Sequence, residues 1–443
     1  MISLAHDINN IINNRTYSEN EGFQIFNFRS KNLNALEKKI KEIKSDDSDW
    51  KNKVTNLKHL INIEKEKNNR FIIRYKKDRI NTNNVNDYGL FRSIVTDGNS
   101  ILSFSPPKSI ELSKLRNISK ECDIECLEYV EGTMINMFYD TQWKIATRSN
   151  IGAEFKFNFD SNLNFREMFL EAFSNQGLEF DMFSKKYSYS FVLQHPQNRI
   201  VVPFNKTNLI LTNIYQCNNN DNKKVIEIDI FNKENEWISN DNYKLIQFPK
   251  KMTTILKDEN LTIDDIKKMV YSGLDYTIQG AVFINRKLGI RSKIRNQNYE
   301  NVRELKGNSP KLQYQYYNLR NYGKVRDFLK YYPEHKEKFT EMRAQLHNWT
   351  LELWNNYFKC YVEKQKPLKE FPFEFRTHMF ELHQEYLGSL VADGKYVSKK
   401  VVINYVNELP AAYLMSSINY PLKKMDIEKS KTIIDESLNE INN

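Results

Sequence analysis

Short runs of β-branched and aromatic residues, separated by turns rich in Asn, Asp and Gly, fill the chain from Phe71 to about Asn308. They read RFIIRY, SILSFS, TMINMFYD, YSFVLQH, RIVVPF, NLILTNIY, KVIEIDIF and GAVFIN. Strands that follow one another with tight turns between them pair as antiparallel sheets. One segment, NFREMFLEAFSNQG, instead predicts a helix that ends at Gly177 and has one apolar face. This part of the chain therefore predicts an α+β domain built on antiparallel sheets.

The pattern changes on both sides of this domain. A short extended piece, FQIFNF, precedes a charged stretch from Leu33 to Lys67 whose apolar residues have helical spacing. After Pro310 strand signals nearly vanish, and KGNSP at Lys306–Pro310 predicts a hinge. We therefore predict four parts: an N-terminal helical cover at 1–70, the α+β domain at 71–308, a helical domain at 309–425 and a frayed tail at 426–443.

Composition excludes several classes of protein. Apolar residues make up 40% of the 443 residues and aromatic residues 13%, which excludes global disorder. No run approaches the roughly 18 apolar residues of a membrane span, and the start, MISLAHDINN, does not resemble a signal peptide. We expect a cytoplasmic or nuclear protein that does not bind membranes. Four cysteines are too few for a disulfide framework, and buried free thiols are the preferred interpretation.

The chain is basic, with 66 Lys and Arg against 56 Asp and Glu, a net charge of +10. A folded protein with this charge attracts polyanions, of which nucleic acid is the commonest. The chain is also rich in Asn and Lys, as proteins of AT-rich genomes are for reasons of codon composition. Charge alone leaves both explanations open.

Four segments, in order along the chain, carry a resemblance to one family. FRSIVTDGNSILSFSPPKS is similar to that family's upstream strand pair, in which an arginine opens an R-G-I-like strand and a lysine closes a P-x-x-K turn. Arg92 and Lys108 match those two positions. EYVEGTMINMFYDTQWKIATRSNIG is similar to a nucleotide-binding hairpin with the pattern K-x-D-G-S-L-I. Glu131 and Gly132 match its D-G pair, and Arg148 lies in its later turn.

The other two segments follow further along the chain. YSFVLQHPQNRIVVPF is similar to a strand pair with the pattern F-E-F-x-x-P-x-N-R-I-V, in which Arg199 is in register. IQGAVFINRKLGIRSKIRN resembles an E-G-x-V strand followed by a K-x-K strand, with Gln279, Lys293 and Arg295 at the charged positions. Together the four segments resemble the ATP-dependent RNA ligases of the tailed-phage, tRNA-repairing type, in the covalent nucleotidyltransferase superfamily. The resemblance implies an antiparallel-sheet nucleotidyltransferase (ATP-grasp-like ligase) domain with a helical domain behind it.

In that family a lysine attacks the α-phosphate of ATP, the AMP moves to an RNA 5′-phosphate, and a 3′-hydroxyl displaces it. Lysine suits this role because a desolvated amine is nucleophilic. Tyr129 stands at the position of this lysine, while Val192 and Gln279 stand where the family has carboxylates. Because Mg²⁺ depends on carboxylate and phosphate oxygens, these changes predict a degenerate active site that no longer forms lysyl-AMP.

The cationic positions of the family are kept. The resemblance implies a nucleotide- and phosphate-binding set made of Arg92, Lys108, Glu131, Gly132, Arg148, Arg199, Gln279, Lys293 and Arg295. It implies nucleotide and RNA as partners, through 5′-phosphate or 3′-hydroxyl ends, and ATP and Mg²⁺ as cofactors if the protein is active. Other roles stay open. Arg199 could brace its strand pair, and Lys293 and Arg295 could form a solvated face of an edge strand.

Three functions are consistent with this sequence. The first is an RNA ligase-like pseudoenzyme that binds RNA ends or nucleotide, related to RNA repair. The second is an active RNA ligase or nucleotidyltransferase whose nucleophile is displaced to Lys108 or to Lys144, a residue otherwise expected to face solvent. The third is a structural protein built on the ligase fold. We favour the first because Tyr129 replaces the nucleophile.

Overall fold

The computed structural model describes residues 70–427 apart from short gaps, together with three earlier strands. The gaps are residues 83–84, 86–88, 98–99, 158–160, 218–223, 233–235, 287, 308, 310 and 426. The chain divides into two compact units, Met1–Asn301 and Val302–Asn443.

The strands lie in the first unit. In the described residues they are β1 Tyr17–Ser18, β2 Gly22–Asn27, β3 Ile61–Glu66, β4 Arg70–Tyr75, β5 Ile94–Thr96, β6 Ile101–Phe104, β7 Glu125–Glu128, β8 Thr133–Asp140, β9 Gln142–Ala146, β10 Tyr187–Gln194, β11 Asn208–Cys217, β12 Lys224–Ile228, β13 Gly280–Asn285 and β14 Ile290–Arg295. They form a seven-stranded sheet in the order β1-β2-β12-β11-β10-β8-β9, a three-stranded sheet β14-β13-β7 and a four-stranded sheet β3-β4-β5-β6. Neighbouring strands in all three sheets run antiparallel.

Helices are few in the first unit and dominate the second. Those of the described residues are α1 Leu112–Ile118, α2 Phe165–Asn175, α3 Asn240–Tyr243, α4 Met252–Leu256, α5 Ile263–Gly273, α6 Gln297–Lys306, α7 Leu312–Asn321, α8 Val325–Tyr331, α9 Lys336–Tyr357, α10 Phe373–Glu385, α11 Lys399–Glu408 and α12 Ala411–Ile418. The predicted α+β class and the helical C-terminal part are both confirmed.

Helix α2 covers one face of the seven-stranded sheet. It begins with reciprocal hydrogen bonds, in which the Glu167 N–H donates to Asn164 Oδ1 at 2.9 Å and the Asn164 N–H donates to Glu167 Oε2 at 2.7 Å. Its buried face carries Met168, Phe169, Ala172 and Phe173. The Phe169 ring lies 6.0 Å from that of Phe191 on β10, so the apolar face predicted from the sequence packs against the sheet.

Two predicted elements differ from the structure. RIVVPF at 199–204 is not a strand, because the main-chain N–H groups of Val201 and Val202 donate to the Glu131 carboxylate instead of to a neighbouring strand. The predicted helix at 33–67 is wrong over β3, whose residues pair with β4, starting with Ile61 opposite Tyr75. The rest of that stretch, and the predicted tail from residue 428 onward, lie outside the described residues.

The second unit packs aromatic side chains between its helices. The Trp349 ring of α9 stacks on Phe375 of α10 with ring centroids 5.5 Å apart. His378 of α10 is buried, and its two ring nitrogens lie 2.7 Å from the Tyr405 hydroxyl and 2.8 Å from the Ser417 hydroxyl. Among the described helices of the whole chain, none is both long and apolar enough to span a membrane.

Replacement of the buried Phe169 by alanine tests the core under α2. We expect F169A to lower the free energy of unfolding by about 3–5 kcal/mol, the usual cost of removing a buried aromatic ring. Phe155 keeps 65% of its surface exposed, so F155A is the matched control and should change stability by less than about 0.5 kcal/mol. Urea unfolding measures both values, and equal losses would contradict this description of the core.

Candidate functional site

A cavity opens between the seven-stranded and the three-stranded sheets of the first unit. Its volume is about 160 Å³, room for more than a single water molecule. We call it the intersheet cavity. It is lined by the apolar side chains Leu127, Met134, Val192, Val282 and Ile284, by the cations Arg92, Arg291 and Lys293, and by Pro106, Ser109, Glu128, Tyr129, Val130, Gly132, Thr212, Asn213, Pro249 and Gln279.

Strand β14 aligns basic residues on one face, and two of them, Arg291 and Lys293, line the cavity. Side chains of a strand alternate between its two faces, so residues 291, 293 and 295 share one face. Ile290, Ser292 and Ile294 point the other way and are buried. The strand IRSKIR therefore presents a row of three cations because its alternate residues belong to the core.

Tyr129 follows β7 and faces this row. The Lys293 Nζ donates to the Tyr129 hydroxyl at 3.0 Å and lies 4.9 Å from the centre of its ring. Burial alone would raise the pKa of the phenol, but Lys293 and then Arg295 outweigh it and bring the pKa of Tyr129 down to about 8. The position that the resemblance gives to a nucleophilic lysine thus holds a phenol that already accepts a hydrogen bond from Lys293.

Glu131 and Gly132 hold the backbone around this position. The buried Glu131 Oε1 accepts from the N–H groups of Val201 and Val202 at 2.8 and 3.0 Å, which ties the loop after β10 to the start of β8. Gly132 has φ +144°, and a Cβ there would lie 2.4 Å from the Leu193 carbonyl oxygen. Only glycine allows the two strands to approach this closely.

Gln279 stands where the resemblance places a metal-holding glutamate. Its side chain faces the main-chain carbonyls of Tyr129 and Val130, and its amide NH₂ reaches them at 3.3 and 3.2 Å. A carboxylate could not donate to two carbonyls, so the amide suits this contact where a glutamate would not. Val192 stands at the other position where the resemblance gives a carboxylate, and its apolar side chain lines the same cavity.

Lys108 and Arg148 come together outside the intersheet cavity, around Tyr75. The Arg148 Nη2 donates to the Tyr75 carbonyl at 2.7 Å, and its guanidinium lies 4.8 Å from the Tyr75 ring centre. The Lys108 Nζ lies 5.5 Å from the same ring, and burial and then the charge of Arg148 lower the pKa of Lys108. Lys108 lines an adjoining pocket that shares Ser109 and Lys293 with the intersheet cavity.

The remaining predicted cations are engaged in protein contacts. The Arg199 Nε donates to the Val201 carbonyl at 3.1 Å, and the Arg295 Nη1 contacts the Glu300 carboxylate at 3.0 Å. Lys144 does not face solvent as predicted, because its Nζ lies 2.7 Å from the Asp140 carboxylate and its side chain is largely buried. The same carboxylate also binds Arg70, so Lys144 is an unsuitable nucleophile.

The sequence analysis missed Arg291. Its signal is the alternation of β14, in which it lies two residues before Lys293 and so points to the same side. The Arg291 Nε donates to the Pro107 carbonyl at 2.8 Å. Burial and then the charge of Arg92 lower the pKa of Arg291 to about 10.

The described residues that line the cavity offer little to a divalent metal. Glu128 is their one carboxylate, its Oε1 accepts from the Lys250 N–H at 2.9 Å, and burial raises its pKa. No group of three or more His, Cys, Asp or Glu side chains suitable for a metal occurs in the part of the chain that the structure describes. The cations and the apolar wall fit the phosphates and the ring of a nucleotide, whereas the donor set does not fit a protein-held Mg²⁺.

Comparison with known proteins supports the resemblance. No family model matches the chain. A stretch of 99 residues, 20% of the chain, is 28% identical to an RNA ligase of Rhodothermus phage RM378. That stretch spans 23% of the length of the phage protein. The chain is therefore similar to a phage RNA ligase over a limited stretch.

Similar solved structures are also ligases, at low identity and low TM-scores. An archaeal ATP-dependent RNA ligase is 10% identical, with 67% of this chain and 75% of that chain covered and a TM-score of 0.32. A protein from Aquifex aeolicus described as an ATP-dependent DNA ligase is 13% identical, with 76% and 79% covered and a TM-score of 0.35. A Naegleria gruberi RNA ligase variant solved with ATP and Mn is 12% identical, with 41% and 51% covered and a TM-score of 0.27.

Titration of the tyrosines tests the contact between Tyr129 and Lys293. In the unmodified protein, phenolate absorbance should show one step near pH 8 that Y129F removes, because the neighbouring cations stabilise the phenolate. K293M should move this step to higher pH. Lys267 is exposed and lies elsewhere in the first unit, so K267M serves as the control and should leave it in place. A step that K293M does not move would contradict the described contact.

Proposed function

We propose that the intersheet cavity binds nucleotide and the 5′-phosphate or 3′-hydroxyl ends of RNA without forming a lysyl-AMP intermediate at position 129. The observation that carries this proposal is the hydrogen bond between Lys293 Nζ and the Tyr129 hydroxyl at 3.0 Å. The side chain at this position has no amine to form a phosphoramidate, and a neighbouring cation already engages its oxygen.

The wall of the cavity supports binding. Arg92, Arg291 and Lys293 line it together, and arginine forks bind phosphate oxygens while lysine acts as a point charge. The apolar side chains from the two sheets provide a slot for a planar ring. Binding of this kind requires no covalent step.

The residues at two positions where the resemblance gives acidic groups also support binding without a covalent step. Glu131 holds the loop at Val201, and Gln279 faces two main-chain carbonyls, so neither presents a carboxylate to a metal–phosphate complex in this arrangement. These residues keep the cavity in shape. In the proposed function they preserve a binding site whose covalent chemistry is absent.

A second candidate function is nucleotidyl transfer from a displaced lysine. Lys293 suits this role better than Lys108 and Lys144, because it lines the intersheet cavity, whereas Lys108 lines the adjoining pocket and Lys144 is paired with Asp140. Burial also lowers the pKa of Lys293. The Tyr129 phenolate would accept a proton from the Lys293 ammonium. The freed amine would then bond to the α-phosphorus of ATP as the bond to the pyrophosphate oxygen breaks and pyrophosphate leaves.

Incubation with ATP labelled in its α-phosphate, followed by a denaturing gel and mass mapping, separates these functions. We expect no labelled protein, together with binding of RNA that weakens as salt rises, because several cations release counterions from the phosphates. Acid-labile label on Lys293 that K293M abolishes would replace the first function by the second. A folded protein that binds neither ATP nor RNA would contradict both and leave a structural role.

A further inference from the structure

Helix α10 of the second unit carries apolar side chains on two opposite faces. Its inner face is buried and carries Phe375, His378, Met379 and Leu382. On its outer face, Phe373 and Phe380 keep 59% and 50% of their surfaces exposed. A helix that is apolar all round is normally buried on all sides. The outer face of α10 is therefore suited to a contact with a further helix.

The exposed residues of this outer face have the spacing of a heptad repeat. A π-helical turn at Tyr386–Leu390 continues α10, and the exposed positions run through it at alternating intervals of four and three residues. They are Phe373, Thr377, Phe380, Gln384, Leu387 and Val391. We call this row the α10 seam. Residues at such intervals stay on one side of a helix and contact a second helix along its length, as the d and a positions of a coiled coil do.

The charges beside the α10 seam favour a second copy of the same helix as its partner. Arg376 and Glu381 flank the seam on opposite sides, five residues apart. In two parallel copies this spacing places Arg376 of each copy near Glu381 of the other, so two-fold symmetry forms the ion pair twice. In an antiparallel pair, Glu381 would instead face the acidic flank of the second copy. The Glu381 carboxylate accepts a hydrogen bond from the Tyr405 hydroxyl, and the Arg376 Nε donates to the Phe371 carbonyl at 2.6 Å, which holds both side chains beside the seam.

The smaller residues of the α10 seam also suit an identical partner. Thr377, Gln384 and Val391 stand at the a positions, where each side chain of a parallel pair lies opposite its own copy. β-branched residues at these positions favour two strands. A glutamine amide carries both donors and an acceptor, so Gln384 can form hydrogen bonds with Gln384 of a second copy. A buried polar pair of this kind fixes the register of two helices at some cost in stability.

We propose that the α10 seam is the contact surface of a parallel homodimer, in which the seams of two copies pack against each other about a two-fold axis. Phe373 and Phe380 supply its largest apolar side chains, and aromatic residues dominate the energetics of such interfaces. The interface is small, so the dimer dissociates when the protein is diluted. This contact does not depend on the intersheet cavity or on the function proposed for it.

Sedimentation equilibrium of the full chain over a range of concentrations tests the dimer. F380E should raise the dissociation constant of the dimer at least about tenfold, because it places two like charges in an apolar contact. F155E makes the same change at an exposed phenylalanine of the first unit and should leave the dissociation constant unchanged. A protein that is monomeric at every concentration overturns the proposal and leaves the seam to a different partner. A dimer that F380E leaves intact overturns it as well.

Cysteine cross-linking tests the parallel arrangement. Cys122 is an exposed free thiol, so C122S serves as the parent protein. Q384C should form a disulfide-linked dimer under mild oxidation, because parallel seams bring position 384 of the two copies together. Glu385 is exposed beside the seam, so E385C should cross-link no more than the parent. Equal cross-linking of the two variants, or none of Q384C, overturns the parallel seam. If F380E fails to fold by circular dichroism, the cross-linking alone decides.

Discussion

The alternation of β14 is the constraint on which the site depends. The strand is held on one side by β13, from Gly280 opposite Arg295 to Asn285 opposite Ile290, and its apolar face is part of the core. A slip of one residue would bury three cations and expose Ile290 and Ile294, so the register is strongly specified. The basic row of the intersheet cavity is therefore a consequence of core packing. It does not depend on any loop.

Two residues at positions where the resemblance gives acidic groups, Glu131 and Gln279, contact main-chain atoms of the protein. The Glu131 carboxylate accepts hydrogen bonds from two main-chain N–H groups, and Gln279 faces two main-chain carbonyls. Buried polar groups must find partners, and these contacts satisfy main-chain atoms where regular strand pairing stops. These contacts hold the geometry of the cavity with Gln279 at a position where the resemblance gives a carboxylate.

The sequence predicted the fold class and most of the strands, because period-two patterns and turn residues are local signals. It failed at 199–204, where β-branched residues and an apparent strand motif gave no hint that the Glu131 carboxylate would bind that backbone. It also failed at β3, where apolar residues at helical spacing in a charged stretch concealed the pairing with β4. Cross-strand partners are long-range contacts, and a single sequence does not contain them.

The site was predicted less completely than the fold for the same reason. The motifs pointed to Lys293 and Arg295, but Arg291 lay outside them, and Lys108 was grouped with residues that line a different pocket. Lys144 was misjudged because its partner Asp140, four residues earlier, sits on the neighbouring strand of the same hairpin. Resemblance identifies positions, whereas the structure decides which of them face the same space.

The contact between Lys293 and Tyr129 couples the charge of the cavity to protonation. Below the pKa of about 8 the phenol is neutral, and Lys293 offers its full positive charge to an anion. Above it, the phenolate holds that charge, and a bound phosphate must compete with Tyr129 for the same ammonium. Linkage is reciprocal, so a phosphate bound at Lys293 raises the pKa of Tyr129 and deprotonation of Tyr129 weakens phosphate binding. If the cavity binds phosphate as proposed, its affinity for anions therefore falls as pH rises through about 8.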